Sequence, residues 1–132
     1  DLCAVVFCGG GGGIPTCRIG EHQQGVPAVI DKDHFSSLLA RGLRADALII
    51  STEVDAIYRS FGTPDAVALR SIDVSDAEAM NEAGEFPKGS MGPKVEALCE
   101  YAVEMGTGKA VLCSPGHVLE ALRGEQGTTI TT

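Results

Sequence analysis

Aromatic residues are scarce in this sequence. Tryptophan is absent, and two tyrosines and four phenylalanines make up 5% of 132 residues. Any core must therefore be aliphatic and alanine-rich. Basic residues are also few, with 10 Lys and Arg against 18 Asp and Glu, for a formal net charge of −8. That balance argues against a nucleic-acid or anionic-membrane partner. It does not exclude a small phosphorylated ligand, because a few local cations can govern a pocket. No apolar run is long enough to span a bilayer, and no signal-peptide pattern is legible. No C-x-x-C pair exists among Cys3, Cys8, Cys17, Cys99 and Cys113. An odd count without close pairs excludes a recognisable zinc site. It reads instead as buried free thiols in a reducing compartment, hence a cytoplasmic protein. No initiator Met stands at the start. The sequence opens in an apolar run, Leu2 to Phe7, as though cut from something longer.

What is present suits one domain. Hydrophobic residues are 44% of the chain, and a domain of this size buries about two-thirds of its unfolded surface. Leu2 to Cys8, Ala47 to Ser51 and Lys109 to Cys113 read as buried strands, with Thr128 to Thr132 a last strand. Val26 to Ile30 reads as a short strand and Ala66 to Ile72 as an extended segment. Thr16 to Gln24 suits a loop or short hairpin, and Val54 to Phe61 a turn with short helical features. Helices are expected from about Asp31 to Leu43, Ser75 to Asn81, Lys94 to Met105 and Pro115 to Leu122. Asp31 or Asp33 would cap the first, while Ser75 and Glu78 form a capping-box pattern for the second. Strands alternating with amphipathic helices predict an α/β three-layer sandwich on a mainly parallel sheet. Ligands in such sheets sit at the carboxyl ends of the strands.

Three segments carry chemistry. Gly9 to Gly13 is a loop whose backbone N–H groups can converge on an anion. No Lys-Ser/Thr follows it, so it is not a Walker A loop, and a tight strand exit explains it equally well. In Asp31-Lys32-Asp33, a lysine between two aspartates stands at a helix start. The plain reading is a solvated first turn. The chemical one has Lys32 on phosphate oxygens with an aspartate fixing a lysine in place, since phosphoryl transfer needs cations set against charge spreading over the moving group. In Gly89-Ser90-Met91-Gly92-Pro93-Lys94, Pro93 suits the first residue of a helix and Lys94 its first turn. A cation beside the positive end of a helix favours an anionic ligand. Met91 has the softness to pad a purine face. Glu53 with Asp55 reads as shaping the loop after a strand, and His22, His34 and His117 as structural or solvent-facing.

Gly10-Gly11-Gly12-Gly13-Ile14-Pro15, Ala28-Val29-Ile30-Asp31-Lys32-Asp33 and Gly89-Ser90-Met91-Gly92-Pro93-Lys94-Val95 resemble, in order and spacing, carbamate kinases of the amino-acid kinase superfamily. Ser51-Thr52-Glu53-Val54-Asp55, the stretch Tyr58 to Pro64 and the ending Ala121 to Thr128 fit as well. The resemblance covers the whole sequence but only the C-terminal, nucleotide-binding half of such an enzyme. It implies an amino-acid-kinase-like, Rossmann-like C-terminal lobe spanning residues 1–132. It also implies ATP or ADP with Mg²⁺, and reversible conversion of carbamoyl phosphate and ADP to carbamate and ATP in arginine metabolism. Catalytic roles fall on Lys32, Lys94 and, as the orienting acid, Asp31. Thr52, Val54, Tyr58 and Met91 would line the adenosine site. Gly10, Gly11, Gly12 and Gly13 would face the transfer centre. No resident protein-held metal is expected. Departures are mild: Glu53 where Asp is common, Thr63 where Lys is usual, and the extra Gly9. The resemblance further implies a homodimer, or pairing with a separate first half without which this half is inactive. A non-catalytic nucleotide-sensing or assembly module is the alternative, and a structural domain with incidental lysines a third reading.

Overall fold

The computed structural model describes residues 4–8 and 14–132. Its order is β1 (Thr16–Ile19), β2 (His22–Gly25), α1 (Lys32–Leu43), β3 (Ala47–Ser51), β4 (Ile57–Arg59), β5 (Val67–Leu69), β6 (Ser71–Asp73), α2 (Val74–Glu82), α3 (Met91–Met105), β7 (Lys109–Cys113), α4 (Val118–Leu122) and β8 (Thr128–Thr131). The central sheet runs β3-β7-β8-β6. Two of its pairings are parallel, β3 with β7 and β6 with β8. The β7–β8 pairing is antiparallel. The fold is thus mixed α/β with a mainly parallel sheet, as expected.

Side-chain alternation along the strands builds the layers. Leu48 and Ile50 of β3 and Ala110 and Leu112 of β7 point to one face, where α1, α2 and α3 cover them. Ile49, Val111 and Cys113 point to the other, against Val118 and Ala121 of α4. The first core is aliphatic and alanine-rich, with Leu98, Val95 and Ala97 of α3 at its centre. Tyr101 is fully buried, and its hydroxyl donates to the Ala45 carbonyl at 2.5 Å. Ser37 Oγ on α1 is buried without a hydrogen-bond partner. Among the described residues no helix is long and apolar enough to cross a membrane.

Several expectations need correction. Within the predicted Leu2–Cys8 strand, residues 4–8 lie in no regular element and are exposed; a strand is stable only where a neighbour pairs its backbone and covers its faces. Val26 to Ile30 is also irregular: Pro27 has no N–H to give a ladder, and Val29 is 96% exposed. Within Val54 to Phe61, residues 57–59 form β4, paired antiparallel with β5. The segment 66–72 divides between two sheets, β5 in that hairpin and β6 in the central sheet. Asp73, not Ser75, caps α2: its carboxylate accepts from the Asp76 N–H at 2.9 Å and the Ser75 hydroxyl at 2.6 Å. α4 begins at Val118 because Pro115 and Gly116, at φ 90°, make a turn first. Cys99 and Cys113 are buried, but Cys8 and Cys17 are exposed, and Cys3 lies outside the described residues. The hairpin reading of residues 16–24 holds, as β1 and β2.

Candidate functional site

The site stands at the carboxyl end of β3 and the N-terminal ends of α1 and α3. α1 begins at Lys32 because Asp31 is extended and caps it. The Asp31 carboxylate accepts from the N–H groups of Asp33 at 2.8 Å and His34 at 3.1 Å. Burial works to raise its pKa, but those two bonds and the Lys32 charge hold it below the usual carboxylate value. With Asp31 committed to the cap, Asp33 falls on the inward face one and two turns before Ser37 and Ala40, all three of them buried.

α3 begins at Met91, earlier than the sequence suggests. The Pro87 carbonyl accepts from the N–H groups of Ser90 and Gly92, so the preceding turn runs straight into the helix. Pro93 is then the third helical residue, where its missing N–H is still harmless. Gly92 sits in tight space: a Cβ there would lie 3.1 Å from Asn81 Oδ1, which would have to shift slightly, and 3.4 Å from the Pro87 carbonyl.

The two helix starts bring both lysines to one oxygen. Lys94 Nζ lies 2.8 Å from Asp33 Oδ2, and Lys32 Nζ lies 3.3 Å from the same atom. The side chains of Asp33 and Lys94 are 9% and 12% exposed, whereas Lys32 is 62% exposed. The hydrogen bond to Asp33, with its charge, raises the Lys32 pKa. Both lysines thus meet the Asp33 carboxylate, while that of Asp31, the acid expected to orient them, caps α1.

Lys94 also forms one end of a cleft of about 180 Å³. Thr52, Val54, Tyr58 and Met91, four of the residues expected at a nucleoside, line this cleft, and so do Phe61 and Phe86, which the sequence reading did not select. The Thr52 N–H donates to the Cys113 carbonyl at 2.9 Å, tying the loop after β3 to the end of β7. Tyr58 donates to Asp55 Oδ1 at 2.7 Å; that bond, then burial, raises its pKa. Tyr58 and Phe61 stand with ring centroids 5.6 Å apart. Their hairpin, β4–β5, is fastened by buried Thr128, which accepts from the Ile57 N–H at 2.8 Å and donates to the Leu69 carbonyl at 2.5 Å. The cleft is smaller than the ~300–1,000 Å³ of clefts that enclose a drug-sized ligand. Gly10, Gly11, Gly12 and Gly13 lie outside the described residues.

Among the described residues no group of three His, Cys, Asp or Glu is disposed to hold a metal ion. Asp33 is taken up by lysines and Asp31 by a helix cap. Mg²⁺ ordinarily keeps several waters and rides on substrate phosphates, and this donor set fits an ion that arrives with a nucleotide.

Fold and cleft define an α/β domain in which two lysines meet on one carboxylate beside a cleft near the end of β3. Residues 4–114 match the amino acid kinase family, and the chain belongs to it. It is 46% identical over 125 residues to a carbamate kinase of Halobacterium salinarum, covering 95% of this chain and 40% of that protein. It is 44% identical over 130 residues to one from Clostridium perfringens, covering 98% and 41%. Its fold superposes on a carbamate kinase from Giardia lamblia bound to AMP-PNP with a TM-score of 0.86 and 40% identity, over 92% of this chain and 38% of that one. The chain thus spans about two-fifths of the length of these relatives.

Proposed function

We propose that these 132 residues are the nucleotide side of a carbamate-kinase-like phosphotransferase, acting reversibly on carbamoyl phosphate and ADP to give carbamate and ATP. The acceptor side falls to residues outside this sequence, so transfer by this chain alone is not expected. The observation that carries the reading is the meeting of Lys94 and Lys32 on Asp33 beside the Thr52–Tyr58–Met91 cleft. In this reading the nucleoside lies in the cleft and its phosphates reach the two ammonium groups. Those cations stabilise the charge that spreads over the transferring phosphoryl group. Mg²⁺ carried by the nucleotide would neutralise further phosphate charge. Asp33 holds both lysines aimed before the ligand arrives, which lowers the reorganisation needed at binding. Gly10 to Gly13 would add backbone donors from the opposite side.

Calorimetric titration with ADP, with and without Mg²⁺, tests this. A charge-assisted phosphate contact is worth roughly 1.5–3 kcal/mol, so Lys94→Ala should weaken ADP binding about 10- to 100-fold. Unchanged affinity in that variant would remove the proposed phosphate contact.

A further inference from the structure

The β4–β5 hairpin stands apart from the central sheet, yet it carries one wall of the cleft. Ile57 is buried in the core, so Tyr58, the next residue along β4, turns the other way, to the cleft. Phe61, two residues past the end of β4, lines the cleft as well. Each strand of the hairpin has only three residues, and so short a pair has little stability of its own. Whatever fixes the hairpin to the rest of the domain therefore fixes that wall.

One hydroxyl holds its base. Ile57 and Leu69 are partners across the hairpin. Thr128 Oγ1 accepts from the Ile57 N–H at 2.8 Å and donates to the Leu69 carbonyl at 2.5 Å, so it bridges both strands at one rung. A hydroxyl has a single hydrogen to give, and here the carbonyl takes it. Thr128 is itself fully buried, at the start of β8 and opposite Leu112 in the central sheet. The neighbouring Thr129 N–H, 3.1 Å from the Arg70 carbonyl, holds the chain where it leaves for β6. The far end of the hairpin is tied more loosely: the Ser60 N–H reaches Glu85 Oε2 at 3.4 Å, in an exposed position. Thr128 is the firmer anchor of the two.

We propose that Thr128 is a positioning residue for the nucleoside: its hydroxyl sets the β4–β5 hairpin, and with it Tyr58 and Phe61, against the cleft. This rests on the nucleotide reading above. Thr128 touches no ligand in this account. It acts through the backbone of Ile57 and Leu69, and its effect falls on the nucleoside end of the ligand. The phosphate end depends on Lys94 and Lys32, which stand on α3 and α1 and share no bond with the hairpin among the described contacts.

Calorimetry with adenosine, ADP and inorganic pyrophosphate on the wild type, Thr128→Val and Thr128→Ser tests this. Thr128→Val keeps the shape of the side chain and removes the hydroxyl. It should weaken adenosine and ADP by the same factor, roughly three- to tenfold, the size of an ordinary hydrogen bond lost. Its pyrophosphate affinity should stay at the wild-type value. Thr128→Ser restores the hydroxyl and should bind all three ligands nearly as the wild type does. Hydrogen exchange on the wild type gives a second measurement that does not need the valine variant to fold. Adenosine should slow exchange of the backbone amides of residues 57–59 and 67–69, and pyrophosphate should leave them unchanged. Wild-type adenosine affinity in Thr128→Val overturns the proposal. So does an equal loss for adenosine and pyrophosphate, which would make Thr128 a general stabiliser, a failure of Thr128→Ser to recover binding, or hairpin amides that do not respond to adenosine. Absence of ADP binding by the wild type overturns the nucleotide reading itself, and this proposal with it.

Discussion

The α1–α3 seam and the β1–β2 hairpin are opposites in construction. Along the seam, Leu98, Val95 and Ala97 are fully or almost fully buried, and the contacts Asp33–Lys94, His34–Glu96 and Arg41–Glu100 cross between the two helices. Every residue of β1 and β2 is exposed, and so are residues 4–8 and Ile14. A two-stranded hairpin has little stability of its own. The seam is therefore specified by contacts within these residues. Among the described residues the hairpin is specified by its own turn and ladder, and its apolar side chains stand outside this core. Local pattern without a covering layer does not make a buried element.

Substitutions can sharpen that contrast. Leu98→Ala opens a cavity at the centre of the seam and should lower stability by about 2–5 kcal/mol, read from urea unfolding. Ser37, one turn beyond Asp33, is already without a partner there, so the seam has little polar reserve. Asp33→Asn leaves Lys94, 12% exposed, without its counter-charge. A loss of about 1–3 kcal/mol is expected, and added ADP should recover part of it by supplying phosphate charge. A loss that ADP cannot reduce would separate Asp33 from the ligand.

Asp31 gives a smaller, pH-dependent effect. Its folded pKa lies below the ordinary value of 3.8, so its contribution is present above that pH and fades as pH falls through the folded value. Asp31→Ala should cost about 0.5–1 kcal/mol near neutrality, since the cap is exposed. The gap to wild type should narrow by pH 3. Asp73, held low first by the Ser75 hydroxyl and then by the Asp76 N–H, follows the same direction. The smallest effect belongs to the hairpin. Ile19→Ala should change stability by less than about 0.5 kcal/mol, and a larger loss would mean the hairpin is covered by something more than its own turn.

The same contrast explains what the sequence made legible. β3 and β7 are apolar runs bounded by polar turns, and both strands begin and end where the pattern places them. α1 follows from Asp31, and α3 from the period through Val95, Leu98 and Ala102. Lys32, Lys94 and Met91 were read from their own segments and Thr52, Val54 and Tyr58 from the resemblance, and the fold brings the lysines to one carboxylate and the other four to one cleft. Asp33 was hidden because either aspartate of Asp31-Lys32-Asp33 suits a helix cap; only the choice of cap decides which one turns inward. The antiparallel placing of β8 depends on residues far apart in sequence, and no local pattern carries it. Residues 4–8 of the first apolar run misled because such a run records what a segment can bury, not whether a neighbour among the described residues covers it.

The central claim is that Lys94 acts on the phosphates and leaves the nucleoside to the cleft. Comparing ADP and adenosine affinities in wild type and Lys94→Ala tests it most directly. The expected result is a loss of about tenfold or more for ADP with adenosine binding unchanged. Equal losses for both ligands, or none for ADP, would contradict it.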